Sequence, residues 1–239
     1  MGGVHTRVEV IGDATLYRGD CRDILPTVGD VGAVVSDVPY GVSFVSARNG
    51  QFKGVAIAQD DTTEARDYVL KWASGKPAIV FGSWKIARPE NTRARLIWDK
   101  GDHVGMGDLS LPWKPNDEEI YVIGSGFSGH RIGGVLKHNA VAGTVAVSQG
   151  RHHPTEKPVS LMMELVERCP PGAILDPFMG SGTTGVACVR LSRPFVGIEI
   201  DHGYFDIACR RIEEAYRQPR LFAEPVAKPV QPSLLDDAA

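Results

Sequence analysis

Ile174-Leu-Asp-Pro-Phe-Met-Gly-Ser-Gly-Thr-Thr-Gly185 is the stretch that decides the fold. Two apolar residues lead into an acid, then a glycine-rich turn, then residues that open a helix. Glycine lacks a Cβ, so a ligand can approach the backbone closely there. A helix N-terminus offers unpaired N–H groups to an anionic group. Gly180, Gly182 and Gly185 satisfy the G-x-G-x-x-G spacing, and Glu199 falls near the end of the next apolar run, Phe195–Ile200. Such a strand–turn–helix unit predicts a doubly wound sheet, in which ligands gather at the carboxyl ends of parallel strands. Taken alone, these glycines fit an NAD-dependent oxidoreductase. Glu199 would bind ribose hydroxyls under that reading too.

Outward from this unit the chain alternates strands and helices. Val8–Ile11 and Ala14–Tyr17 flank the turn-prone Gly12-Asp13 and predict a hairpin. Asp23–Leu25 reads as one helical turn. Ala33–Ser36 is a buried strand stopped at Pro39. Thr62 or Thr63 caps a helix that runs to about Ser74, followed by strand Ala78–Phe81 and a short helix Trp84–Ala87. Arg95–Trp98 and Glu119–Ile123 are strand candidates. Glu156–Arg168 reads as a helix with Pro158 in its first turn, where proline is tolerated. Strand Ala173–Leu175, helix Thr183–Leu191, strand Phe195–Ile200 and helix Tyr204–Arg217 complete the series. The expected fold is α/β: a doubly wound, mostly parallel, Rossmann-like sheet with a small target-recognition insertion. Residues 1–217 form one domain, with a catalytic half at about 14–98, the insertion at about 99–150 and a cofactor half at about 151–217. Residues 42–61 read as a loop. Residues 101–117 and 124–152 are too long and irregular for a connector, which points to a functional insertion. The proline-rich stretch 218–239 reads as a disordered tail.

Composition bounds the function. Hydrophobic residues make up 43% and charged residues 23% of the 239, an ordinary globular mix. No apolar run approaches the roughly 20 residues of a membrane span, and residues 1–13 lack the apolar core of a secretory signal. Four scattered cysteines without a CxxC pair fit free thiols in a reducing cytosol. The His152–His153 pair alone makes no metal site, so no metal is expected. Net charge is −3, whereas nucleic-acid binders are often basic. Binding follows the local field, however, and basic residues cluster at Lys85, Arg88, Arg93, Arg95 and Lys100, then at Arg131, Lys137, Arg151 and Lys157.

A second motif, Asp37-Val-Pro-Tyr40, also follows a buried strand. A doubly wound sheet can set it beside the glycine turn. Together with His153-Pro-Thr-Glu-Lys157-Pro158, Leu175–Thr184, Gly197-Ile-Glu-Ile-Asp201 and Tyr204, it resembles the amino-methyltransferases of DNA. More narrowly, it resembles their circularly permuted β class, where the catalytic motif precedes the cofactor motif. The similarity covers roughly residues 14–215. It implies methyl transfer from S-adenosylmethionine to an exocyclic amino group of a DNA base. An acid at position 37 leans towards adenine N6, serine being commoner for cytosine N4. By the same resemblance, Phe178, Gly180 and Gly182 border the methionine and ribose of the cofactor, and Asp176 faces its ammonium. Thr183, Thr184 and the Lys157 region hold its carboxylate, Glu199 takes the ribose diol and Asp20 meets the adenine amino group. Cys21, Asp37, Pro177, Ser181 and Ile200 complete the implied cofactor set.

The amine chemistry explains the early motif. The lone pair of an exocyclic amine is delocalised into the ring, so acceptors must face its hydrogens and gather density on nitrogen. Asp37 supplies a carboxylate and Val38 a carbonyl. Pro39 pushes Val38 towards extended backbone and so fixes that carbonyl's direction. Tyr40 offers an aromatic platform to a base flipped out of the duplex, worth about 1–3 kcal/mol. The family tetrapeptide is Asp-Pro-Pro-Tyr. Val38 departs from it and raises the alternative of an inactive, DNA-binding relative.

Residues 99–150 are the candidate target-recognition region, with Lys100, Phe127, His130, Arg131 and Lys137 as DNA contacts. Arg131 would read guanine or bind phosphate. Gln218-Pro-Arg-Leu-Phe222 and Gln231-Pro-Ser-Leu-Leu235 resemble peptides that dock on bacterial sliding clamps. The expected enzyme is cytoplasmic, in a bacterium or phage-infected host, acts on double-stranded DNA and is a monomer or homodimer. It carries no nuclease motif, which fits a solitary enzyme. The oxidoreductase alternative gives Asp37–Tyr40 no task. A methyltransferase of RNA or protein is a further alternative.

Overall fold

A computed structural model describes residues 7–39, 41, 62–101, 109–140 and 156–218. Nine strands form one sheet: β1 (Arg7–Ile11), β2 (Ala14–Arg18), β3 (Ala33–Ser36), β4 (Ala78–Gly82), β5 (Thr92–Asp99), β6 (Asp117–Ile123), β7 (Val135–Lys137), β8 (Ile174–Asp176) and β9 (Phe195–Glu199). Their order is β1-β2-β9-β8-β3-β4-β6-β5-β7. The centre, β2-β9-β8-β3-β4, is parallel throughout. Only β1 and β6 run against it, and β7 joins the margin parallel to β5. The expected mostly parallel, Rossmann-like sheet is present.

The two faces follow from the period of two along each strand. Ala33, Val35, Ile79, Phe81 and Ile174 point to one core. It is covered by α3 (Val159–Val166), α4 (Thr183–Arg190) and α5 (His202–Arg217). Val34, Ala78, Leu175 and Ile198 point to the other core. There they meet α1 (Cys21–Ile24), the 3-10 turn Leu25–Thr27 and α2 (Glu64–Trp72). Helices on both faces make the sheet doubly wound.

Several expectations are corrected. Trp84–Ala87 is a turn without a helix; four residues leave no room for a stable helical run once Pro89 follows. Helix α3 starts later than expected, because Pro158 sits at its N-cap with ψ of 135°. Residues 99–150 are not wholly an insertion, since β6 lies between β4 and β5 and β7 extends the sheet. The expected loop 42–61, Tyr40, the His152–His153 pair and the tail beyond Gln218, with its clamp-like peptides, lie outside the described residues. Among the described residues no helix is long and apolar enough to cross a membrane, and no His, Cys, Asp and Glu cluster could hold a metal ion.

Candidate active site

Strands β3 and β8 are hydrogen-bonded neighbours, with Val34 paired to Leu175. Their carboxyl ends therefore emerge side by side, 140 residues apart in sequence. Ser36, fully buried, donates its hydroxyl to Asp176 Oδ1 at 2.6 Å, and Thr184 donates to Oδ2 at 2.5 Å. The N–H of Phe178 adds a third bond to Oδ1 at 3.1 Å. Burial pushes the Asp176 carboxyl up to about 6; these donors restrain the rise and the nearby charge of Asp37 adds to it. Asp176 thus places partly compensated negative charge beneath the crevice, which favours a cationic ligand group.

The three glycines after Asp176 have different tasks. A Cβ on Gly180 would meet nothing within 4 Å, so this backbone faces open space. A Cβ on Gly182 would come within 2.9 Å of the Ala208 Cβ, and one on Gly185 within 2.4 Å of Ile212. Those two let α4 lie close against α5. From α5, the half-buried Arg211 donates to the Ser181 carbonyl and hydroxyl at 2.7 and 2.8 Å, to the Thr183 hydroxyl at 3.3 Å and to Glu156 at 2.5 Å. The turn is clamped from behind by a residue no motif named.

At the end of β9, Glu199 accepts from the N–H of Gly180 at 2.9 Å and of Asp201 at 2.8 Å. Burial raises its carboxyl to about 7. Next to it Ile200 is exposed, an apolar surface on the rim. The N–H of Gly19 donates to the Glu199 carbonyl at 3.0 Å, which brings Asp20 and Cys21 to the same corner. Asp20 caps α1 and pairs with the Arg22 guanidinium at 2.5 Å, while Cys21 is buried. The cofactor residues expected from β2, β8 and β9 are thus brought together.

On the β3 side, Asp37 is half-buried and accepts from Lys157 Nζ at 2.7 Å. Val38 is 2% exposed and packs with Val80, Tyr121 and the partly buried Phe178. Its side chain fills an apolar core site, which gives valine a reason to stand there. Phe178 also touches the cluster of Leu175 and Ile198, so one ring spans both halves. Pro39 is buried, and Pro177 continues the turn from β8. Tyr40 lies outside the described residues.

The DNA candidates separate. Lys100 and Lys137 follow or end β5 and β7 at the carboxyl edge, level with Asp99. Lys137 is exposed, whereas Lys100 lies 3.0 Å from Glu118 and over the Trp98 ring. Phe127 does not join them. Strand β6 runs backwards and ends at Ile123 opposite Ala78, the first residue of β4. Phe127 therefore lies at the amino edge and packs on the core. His130 and Arg131 line a cavity of about 210 Å³ with Leu96, Leu136, Glu164 and Arg168. Sequence reasoning also missed Ser36, Glu118 and Arg211; a polar residue at the end of a buried strand was the one signal for Ser36.

Known proteins match this arrangement. The family model of N6/N4 methyltransferases, described as DNA methylase, matches residues 58–210. YubD of Escherichia coli (strain K12) is 42% identical over 224 residues, covering 84% of this chain and 90% of that protein. The type II methyltransferase M2.MboI of Moraxella bovis is 40% identical over 239 aligned residues, covering 83% and 87%. The crystal structure of the M1.HpyAVI–SAM complex shares the fold with a TM-score of 0.61 at 20% identity, over 83% of this chain and 98% of that one. The match decides what the glycines alone left open between oxidoreductase and methyltransferase. With most of its length matched, the chain belongs to the N6/N4 family of DNA methylases.

Proposed function

We propose that the chain transfers a methyl group from S-adenosylmethionine to the exocyclic amino group of a base extruded from double-stranded DNA, adenine N6 being the preferred target. The observation that carries this reading is the β3–β8 junction, where Asp37 and the glycine turn leave adjacent strands and Ser36 ties them through Asp176.

The residues fit the donor. Gly180 leaves room over its backbone, Glu199 offers a carboxylate of the kind that takes a ribose diol, and Asp176 puts negative charge under the crevice. M1.HpyAVI, solved with SAM, has the same fold. When bound, S-adenosylmethionine supplies a methyl group already activated by its sulfonium charge. The chain must then make the amine nucleophilic. The Asp37 carboxylate and the Val38 carbonyl accept from the amine hydrogens and concentrate density on nitrogen, a preorganised electrostatic effect. Burial of the Val38 side chain and the proline after it hold that carbonyl still. Lys100 and Lys137 at the same edge supply phosphate contacts to the duplex.

The acid at position 37 supports adenine over cytosine. Expression in a methylation-deficient host followed by sequencing for modified bases tests the proposal. N6-methyladenine within one recurring sequence is expected. N4-methylcytosine would move the target, and unmodified DNA from a folded, cofactor-binding protein would overturn methyl transfer.

A further inference from the structure

The sequence resemblance gives Lys157 to the cofactor's carboxylate, but its surroundings suit another task. Its side chain is 6% exposed. Nζ lies 2.7 Å from Asp37 Oδ2 and 2.9 Å from Glu118 Oε1. The ring centroids of Phe81 and Trp98 lie 4.8 and 5.8 Å away. Two carboxylates and two aromatic faces therefore enclose a compact ammonium that has three donors to place. The second oxygen of Glu118 lies 3.0 Å from Lys100, so charge alternates along Asp37, Lys157, Glu118 and Lys100.

Burial alone would lower the Lys157 ammonium; Asp37 and Glu118 outweigh it and hold the group above its ordinary 10.5. A cofactor carboxylate would have to compete with two carboxylates already in contact. Separating a buried pair is strongly unfavourable, because one charge is left uncompensated. An aspartate that must accept from an amine, by contrast, needs a fixed direction and a retained charge. A buried cation on one of its oxygens supplies both.

We propose that Lys157 is a positioning residue for Asp37, anchored from behind by Glu118 and Lys100, and not a ligand of the cofactor. The proposal rests on Asp37 being the acceptor for the target amine. Among the described residues, the charged groups facing Asp37 include Lys157 from the segment before α3 and Asp176 from β8, with Glu118 of β6 and Lys100 beyond Lys157. Asp37 works ionised, so transfer fails as pH falls. Removing the cation moves that acidic limb to higher pH. Removing the Glu118 charge, which competes for Lys157, moves it to lower pH.

The test uses Lys157→Met, Lys157→Arg and Glu118→Gln in the full chain. Cofactor affinity is read by calorimetry, and single-turnover transfer at saturating cofactor is followed against pH. Lys157→Met is expected to keep cofactor affinity while slowing transfer on the order of 100-fold, the cost of a reacting group displaced by about 1 Å. Its acidic limb rises by about one pH unit, at the low end for losing a neighbouring opposite charge. Lys157→Arg restores part of the rate, and Glu118→Gln shifts the limb downward. Loss of cofactor affinity in step with rate, or an unmoved limb in both charge-removing variants, overturns the proposal. If melting shows that Lys157→Met does not fold, Glu118→Gln decides: a downward limb supports the proposal and an unmoved one overturns it. A wild-type protein that binds cofactor but transfers nothing would overturn the functional reading along with it.

Discussion

Between about pH 4 and pH 7, Asp176 and Glu199 retain protons in the folded chain that an unfolded chain would release. The first rises from an ordinary 3.8 to about 6 and the second from 4.5 to about 7, burial being the main cause of each. Both folded values lie above the unfolded ones. The contribution of this pair to stability is therefore most favourable at low pH and declines as pH climbs from about 4 to about 7. A cationic ammonium placed near Asp176 and hydroxyls donating to Glu199 favour the ionised forms. Cofactor binding near pH 6.5 is accordingly expected to release protons. Calorimetry in buffers of different ionisation enthalpy checks this, and a binding heat independent of buffer would contradict it. Asp176 and Glu199 were legible in the sequence because they end apolar runs beside glycines. Ser36 and Glu118 were not, because a polar residue does not announce a partner that the sheet alone brings near. Lys157 was legible through its motif, but its contacts with Asp37 and Glu118 were not, for the same reason.

Among the elements, α4 shows how one fingerprint hides two requirements. Gly180 stands under open space at φ of 51°, while Gly182, at φ of 82°, and Gly185 are pressed against α5 and β9. Gly182→Ala is expected to destabilise by about 1–3 kcal/mol through overpacking against Ala208, with about 1–2 kcal/mol more from the left-handed backbone. Gly180→Ala carries only the backbone cost, and its main effect is weaker cofactor binding. Melting and calorimetry on the two variants separate these outcomes; equal loss of affinity without loss of stability in both would refute the division. The spacing of glycines was visible from sequence, whereas which glycine faces open space depended on α5, whose approach no local pattern encodes. Strands β3, β4, β8 and β9 were readable as short apolar runs between breakers. Strand β7 was not, since three residues, Val135-Leu-Lys137, give no period and are recruited by pairing with β5.

The whole molecule carries a net charge of −3 and yet sets Lys100 and Lys137 at the carboxyl edge of the sheet. Lys137→Glu is expected to weaken binding to DNA of any sequence and to reduce the salt dependence by about one counterion. Phe127→Ala, at the opposite edge, is expected to leave DNA affinity unchanged and to lower the melting temperature, because this ring packs on the core. Fluorescence anisotropy at several salt concentrations, with melting curves, checks both. The doubly wound class was legible from alternating patterns, but the edge on which an exposed loop falls depended on β6 running backwards. The pairing of β3 with β8 has a further cost, borne during synthesis. The acceptor strand leaves the ribosome 140 residues before the strand that completes it. At ordinary translation speed that delay is on the order of ten seconds. For that interval the nascent chain carries Ala33–Ser36 with one edge unpaired, an apolar strand edge of the kind that invites aggregation.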